Sequence, residues 1–300
     1  MGRHISETEL ILNADGSIYH LQTRPGEVAN TILLVGDPHR VSKISRRFDR
    51  IEFTKESREL ITHTGYIGSR RISCISTGMG TDNIDIVLNE LDALFNIDLE
   101  TRMVKDQLES LNIIRLGTSG SLHKDIEVDS LLASHYAVGL DSLMNYYQRD
   151  ITSVESRIEN DMNALEFMAS NSMKAYVAKG SDKLINTFGE YFQPGITATC
   201  VGFYGPQGRL LRAEGNEVSK SLIEHLNSVK ISVAPHRITN FEMETAGIYG
   251  MASLLGHEAI SLNAILANRA SHQFSKDPAK TIEKMIDHCF SQIEQVTHTH

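Results

Sequence analysis

Thr31-Ile32-Leu33-Leu34-Val35-Gly36-Asp37-Pro38-His39-Arg40 opens with an apolar run that shows no alternation. An unalternating run of that length fits a strand covered on both faces. Gly36-Asp37-Pro38 breaks it, and Val41, Ile44 and Phe48 then fall on one helical face. A buried strand handed straight to a helix is the repeating unit of α/β architectures.

Outward from this unit the alternation continues. A second strand over 72–76 ends at Thr77-Gly78-Met79-Gly80. From Asp82 a helix is predicted, because Ile84, Val87, Leu88, Leu91, Leu94 and Phe95 keep helical spacing. A third strand over 113–116 runs into Gly117-Thr118-Ser119-Gly120, read as a turn. The charged stretch over 97–112 is compatible with helix and reads as a surface helical insertion. Further strands are expected over 131–138, 175–178 and 196–200, helices over 164–170 and 218–226, and 259–266 is another apolar run. Ile282, Met285, Ile286, Cys289, Phe290 and Ile293 mark a closing amphipathic helix. The result is a helix-covered, mixed or largely parallel sheet. No repeat, low-complexity tract or Pro/Gly/Ser linker divides the chain, so 1–300 reads as one domain. Residues 1–18 form an N-terminal segment, and 294–300 a polar tail bearing His298 and His300.

Bulk composition narrows the function. At 41% hydrophobic, 300 residues can bury a large core. The 38 acidic residues exceed the 29 basic ones, giving a formal charge of -9. That balance disfavours nucleic acid or an anionic membrane as main partner, so any phosphate must meet a local arginine cluster. Cys74, Cys200 and Cys289 form no CxxC pair and share no metal-ligand spacing with the scattered histidines. They read as buried thiols in a reducing cytoplasm. The N-terminus lacks a signal-peptide core, and no apolar run approaches the ~20 residues of a membrane span.

The residues that could carry chemistry cluster at strand ends, where α/β folds place ligands. Glycines at 36, 78, 80, 117 and 120 let backbone N–H groups approach an anion, although a lone glycine turn is more often structural. No Walker loop or dinucleotide fingerprint is present. Arg40 follows the first turn, and Arg115 sits inside an apolar strand, where either an anion or a carboxylate must meet it. Arg58 lies between Ser57 and Glu59; it is a third candidate or a plain surface charge. Phe203-Tyr204-Gly205-Pro206-Gln207-Gly208-Arg209 offers a ring, an amide and a guanidinium, which suits a planar heterocycle as well as it suits a surface loop. Asn240-Phe241-Glu242-Met243-Glu244-Thr245 appears to the eye as the opening of a helix. There Glu242 and Glu244 cannot share a face, and a carboxylate near the free N–H groups could accept a ligand hydroxyl or simply be an acidic first turn.

Taken in order, these residues resemble the nucleoside phosphorylase family, in its uridine phosphorylase branch. The match runs from Tyr19-His20-Leu21 through Gly36 to Arg40, Ser57-Arg58-Glu59, Ser76 to Gly80 and Ile114 to Gly120. It continues through Phe203 to Arg209, Phe241 to Glu244, and Asn268-Arg269. The resemblance implies a three-layer α/β/α fold around a central mixed, partly barrel-like sheet. It implies phosphate held by Gly36, Arg40, Arg115 and Thr118 with Arg58 from a neighbouring subunit. Phe203, Gln207, Arg209 and Arg269 would bind the base. His20 from the neighbour, Thr118, Glu242, Met243 and Glu244 would bind ribose. Arg40, Arg58, Arg115 and Glu244 would carry catalysis. A potassium ion at Glu59, Ile72 and Ser76 is a family feature, and no other cofactor is expected beyond phosphate as co-substrate. Shared sites imply a homodimer or higher homo-oligomer, and the 97–112 insertion resembles longer, dimeric members. The expected reaction is reversible phosphorolysis of uridine, and deoxyuridine is a further substrate to consider. A purine phosphorylase, a hydrolytic nucleosidase and a non-catalytic nucleoside-binding protein are the alternatives. Arg269 stands where the purine branch has an aspartate. Ser119 in place of threonine and the Gly205-Pro206 turn are departures.

Overall fold

The computed structural model describes residues 3–293. The run at 31–40 forms β1 (Thr31–Val35), buried throughout, and then α1 (Pro38–Ser45). Asp37 caps α1 by accepting from His39 N–H at 2.9 Å, and Pro38 takes a first-turn position where a missing N–H costs nothing. The chain continues through β2 (Arg50–Ser57), β3 (Leu60–Ile67), β4 (Arg70–Ser76), α2 (Thr81–Asn96), β5 (Ile97–Asp98), β6 (Met103–Val104), β7 (Asn112–Ser121) and β8 (Leu131–Gly139). Next come α3 (Ser153–Asn163), α4 (Glu166–Ser170), β9 (Tyr176–Lys179), α5 (Asp182–Phe188), β10 (Gln193–Thr199), α6 (Glu217–Ser228) and β11 (Asn240–Glu242). Last are α7 (Thr245–Leu255), β12 (Glu258–Asn268), β13 (Gln273–Phe274) and α8 (Pro278–Ile293).

Strand β7 is the hub of an eleven-stranded mixed sheet. Its first half pairs with β1 and its end with β11, while β12 runs parallel along its whole length. Because β12 also pairs with β8, β8 with β10, and β10 with β11, five strands close on themselves. Strands β1, β4, β3 and β2 extend from this ring as an open wing. The partly barrel-like sheet is therefore present.

The layers follow from strand period. Ile32 and Leu34 enter a core shared with α2 and α7, and Leu33 and Val35 one shared with α1 and α8. Each such side chain contributes roughly 1.5–3 kcal/mol by burial. Among the described residues no helix is long and apolar enough to cross a membrane. All three cysteines are free and buried, and burial pushes their thiols up.

Three expectations need correction. Residues 97–112 are not a helical insertion: β5 and β6 form a hairpin, followed by extended chain. Asp98 accepts from the N–H groups of Glu100 and Thr101, and Arg102 adopts φ +57, which turns the chain. The N-terminal segment and Asn96 then satisfy the backbone that a helix would have satisfied, through Ile5 N–H to Arg102 O and the Asn96 side chain to Glu109. Second, Gly117 to Gly120 are not a turn, because β7 runs on to Ser121. Third, Asn240 to Glu242 are a strand, and α7 begins at Thr245. The polar tail over 294–300 lies outside the described residues.

Candidate active site

A cavity of about 770 Å³ opens at the ends of β1, β4, β7 and β11. Arg40, Arg115, Glu244, Phe203, Gln207 and Arg209, scattered over the whole chain, all line it. Arg40 is buried on α1 and donates to the Leu116 carbonyl at 2.9 Å. Burial pulls its pKa down, Asp37 opposes that, and Arg115 adds to it.

Arg115 folds back over its own strand. A Cβ on Gly117 would lie 1.8 Å from Arg115 Nη1, so only glycine leaves room for the guanidinium. Nη1 donates to Ser261 Oγ and Asn263 Oδ1, each at 3.2 Å. Nη2 meets Glu242 Oε2 at 2.9 Å and Glu244 Oε2 at 2.5 Å. Burial alone would lower the Arg115 pKa, yet the two carboxylates reverse this and hold it above the ordinary value. Both carboxylates reach one guanidinium because Glu242 ends a strand and Glu244 follows by two. The helical geometry expected from sequence would have parted them.

The two acids differ in what surrounds them. Glu242 accepts from Thr199 Oγ1 at 2.7 Å and from the N–H groups of Glu244 and Thr245, each at 2.9 Å, besides Arg115. It thus supplies the N-terminal acceptor of α7. Glu244 takes only the Gly80 N–H at 2.8 Å and Arg115. Burial raises the Glu244 pKa, with Arg115 pulling the other way. Thr118 and Met243 also line the cavity beside them, and Gly36 forms its wall under α1. The hydroxyl of Ser119 accepts from Asn240 Nδ2 at 2.9 Å.

At the far end, Gly205-Pro206-Gln207 make one 3-10 turn that Gly208 closes at φ +65. Gln207 is buried there, and its Oε1 accepts from Arg209 Nη1 at 2.5 Å. The Arg209 guanidinium stacks 4.0 Å over the Phe203 ring and 5.3 Å from the Phe241 ring. Burial, helped by Arg269, brings its pKa down to about 10, so it remains charged near neutrality. Arg269 does not line the cavity. It donates to the carbonyls of Gln207 and Gly208 at 3.0 and 3.1 Å and so holds the turn from behind.

The family model for the phosphorylase superfamily matches residues 30–296. The chain belongs to the phosphorylase superfamily. It is 31% identical over 263 residues to a uridine phosphorylase of Thermococcus kodakarensis, covering 87% of this chain and 81% of that protein. It is 25% identical to a DeoD-type purine nucleoside phosphorylase of Bacillus subtilis, covering 81% of this chain and 84% of that one. Among solved structures, a Trypanosoma brucei nucleoside phosphorylase described as showing uridine phosphorylase activity superposes with a TM-score of 0.84 at 28% identity. That match covers 96% of this chain and all of the other. A uridine phosphorylase of Phytophthora capsici shares the fold, with a TM-score of 0.68 at 22% identity, covering 98% of this chain and all of that one.

Within this phosphorylase chain, two more expected residues, besides Arg269, lie away from the cavity. His20 packs on α2, where its Nδ1 and backbone N–H meet Glu90 at 2.7 and 2.9 Å. Arg58 is exposed at the tip of the β2–β3 hairpin, at φ +56. Both were expected to serve a neighbouring subunit. Of the potassium residues, Glu59 lines the cavity and accepts from Asn83 at 3.3 Å. Ile72 is buried opposite Gly65 in the sheet, and the Ser76 hydroxyl donates to Glu59 O at 2.6 Å while accepting from Ile61 N–H. In one chain, then, the Ser76 hydroxyl is committed to the sheet, and Ile72 lies within it. Sequence reasoning missed Phe274, an exposed ring on β13 that lines the cavity with Leu266 and Ala267. Its one signal was a lone aromatic in a polar stretch.

Proposed function

We propose that this phosphorylase acts on uridine, exchanging phosphate for uracil to give ribose 1-phosphate. The observation that carries the reading is the single cavity with guanidinium groups at one end, an open carboxylate in the middle, and the Gln207–Arg209 pair among aromatic rings at the other. Breaking the glycosidic bond builds positive charge on the sugar and negative charge on the leaving base. Phosphate at Arg40 and Arg115 lies beneath the sugar, and Glu244 accepts a ribose hydroxyl. Arg209 and the Gln207 amide stabilise charge on the uracil oxygens, while Phe203 covers the ring. Positioning and preorganised charge supply the acceleration without a covalent enzyme intermediate. Attack from the face opposite the base inverts the anomeric carbon.

Charge balance supports a shared site. Arg40 and Arg115 offer two positive charges, and Glu242 and Glu244 on Arg115 together with Asp37 beside Arg40 more than cancel them. A phosphate therefore needs a further cation, which Arg58 of a second copy supplies in this reading. His20 of that copy covers the sugar, so the working form is a homo-oligomer. Potassium at Glu59, Ile72 and Ser76 would require a further ligand from that copy. Buried free thiols fit the reducing cytoplasm. The nearest competing reading, a purine phosphorylase, is disfavoured by the Gln207–Arg209 pair and because Arg269 stands after Asn268 where that branch has an aspartate. A panel of nucleosides with and without phosphate, read by release of free base, tests the proposal. Uridine leading the panel supports it; inosine or adenosine leading would overturn it.

A further inference from the structure

Glu242 and Glu244 touch the same guanidinium, but only one has room for a guest. An ionised carboxylate offers about four lone-pair sites. At Glu242 three donors make four hydrogen bonds, one from the Thr199 hydroxyl, one from the Glu244 N–H and one from the Thr245 N–H to each oxygen, and Arg115 Nη2 adds an ion pair. At Glu244 two donors are present, the Gly80 N–H and Arg115 Nη2. A ribose hydroxyl can dock on Glu244 and finds no vacant acceptor on Glu242.

We propose that Glu242 is a positioning residue that ties the phosphate-site guanidinium to the backbone of the residue that binds the sugar. One carboxylate oxygen, Glu242 Oε2, meets both Arg115 Nη2 and the Glu244 N–H, each at 2.9 Å. The nucleophile's anchor and the sugar's anchor are thereby fixed to each other rather than separately to the fold. Thr199 extends the tie: its hydroxyl donates to Glu242 and accepts from the Ala246 N–H at 2.9 Å, binding β10 and α7 into the same unit. The need for such a tie is geometric. Reacting atoms must approach within about 3–3.5 Å, and a misplacement of about 1 Å costs on the order of 100-fold. The inference rests on the uridine phosphorolysis reading for what the two anchors hold.

Glu242→Gln keeps the volume but removes the negative charge that pairs with Arg115 and turns the other acceptor, which takes the Thr199 hydroxyl and the Thr245 N–H, into an NH2, so the tie weakens. Thr199→Val removes one of the three donors and leaves the rest. In Glu242→Gln the phosphate KM should rise about tenfold or more, and in Thr199→Val about threefold. The ratio of kcat/KM for uridine to that for 2′-deoxyuridine or 3′-deoxyuridine should stay within about twofold of the parent in both, whereas Glu244→Gln shifts it by about fivefold or more. If Glu242→Gln does not fold, Thr199→Val carries the test. A shifted sugar ratio in either variant would make Glu242 a sugar ligand and overturn the proposal. So would a parental phosphate KM, which marks a purely structural role. If the parent itself releases no uracil with phosphate present, the functional reading fails. Calorimetry with inorganic phosphate then decides the tie alone: weaker binding to Glu242→Gln supports it, and equal binding overturns it.

Discussion

At Arg209 a guanidinium keeps its charge in a half-buried place, sandwiched between the Phe203 and Phe241 rings, with Gln207 fixing its outer edge. Removing a preorganised charge from a leaving group costs on the order of 2–4 kcal/mol of transition-state stabilisation. Arg209→Ala should therefore lower kcat/KM for uridine about 30- to 1000-fold in steady-state assays; unchanged turnover would remove Arg209 from the site. Glu244 makes a second prediction, through pH. Burial raises its pKa, so it gains a proton at a higher pH than an ordinary glutamate. The ionised form accepts the ribose hydroxyl, so kcat/KM for uridine should fall on the acid side as pH drops through that raised value. Glu244→Gln cannot titrate, and the same acid limb should be missing from its profile. At this scale much was legible in the sequence, because an arginine inside an apolar strand stands out. What was not legible is occupancy. That Glu242 is filled and Glu244 open depends on Thr199 and Gly80, residues about 43 and 164 positions away from those acids in the chain. Arg269, too, was expected at the base and instead braces the turn behind it.

Among the elements, β7 does the most to build the site. It pairs with three neighbours, β1, β11 and β12, and it carries Arg115, Gly117, Thr118 and Ser119 past the point where glycine spacing suggested a turn. Gly117 is there because the guanidinium two residues earlier lies across it. Gly117→Ala should leave a folded protein by circular dichroism, since the strand conformation suits alanine, yet displace Arg115. Phosphate KM should rise by an order of magnitude or more, about what a misplaced anchor costs; a parental value would show that Arg115 does not reach phosphate. Short apolar runs and helix spacing made β1, β4, α2 and α8 readable. The β2–β3 hairpin was missed because its outer strand is mostly exposed and carries little apolar signal. The 97–112 stretch was misread because its backbone is satisfied by the N-terminal segment, a long-range contact that local helix compatibility does not record.

Over the whole molecule, the closed ring and the open wing place the cavity where β7 serves both. The wing brings Arg40 and the hairpin tip bearing Arg58; the ring brings the carboxylates and the base end. The partly closed sheet was expected only through the family resemblance, since ring closure through the β12–β7 pairing leaves no mark in local sequence. Because carboxylates outnumber guanidinium groups at the anion end of one chain, activity should require a second copy. Arg58→Ala and Glu244→Ala should each be nearly inactive, and subunits of the two mixed into hybrids should regain activity. In a hybrid, the Arg58→Ala subunit keeps its own Glu244 and receives an intact Arg58 from its neighbour; hybrids as inactive as their parents would place Arg58 in its own chain's site or outside the reaction. The claim beneath all of this is that phosphate, held by guanidinium groups under the sugar, is the nucleophile. The direct measurement is a phosphate titration at saturating uridine, with both products followed by phosphorus and proton NMR. The account predicts uracil and α-ribose 1-phosphate in equal amounts and no uracil without phosphate. Free ribose formed at a phosphate-independent rate would contradict it.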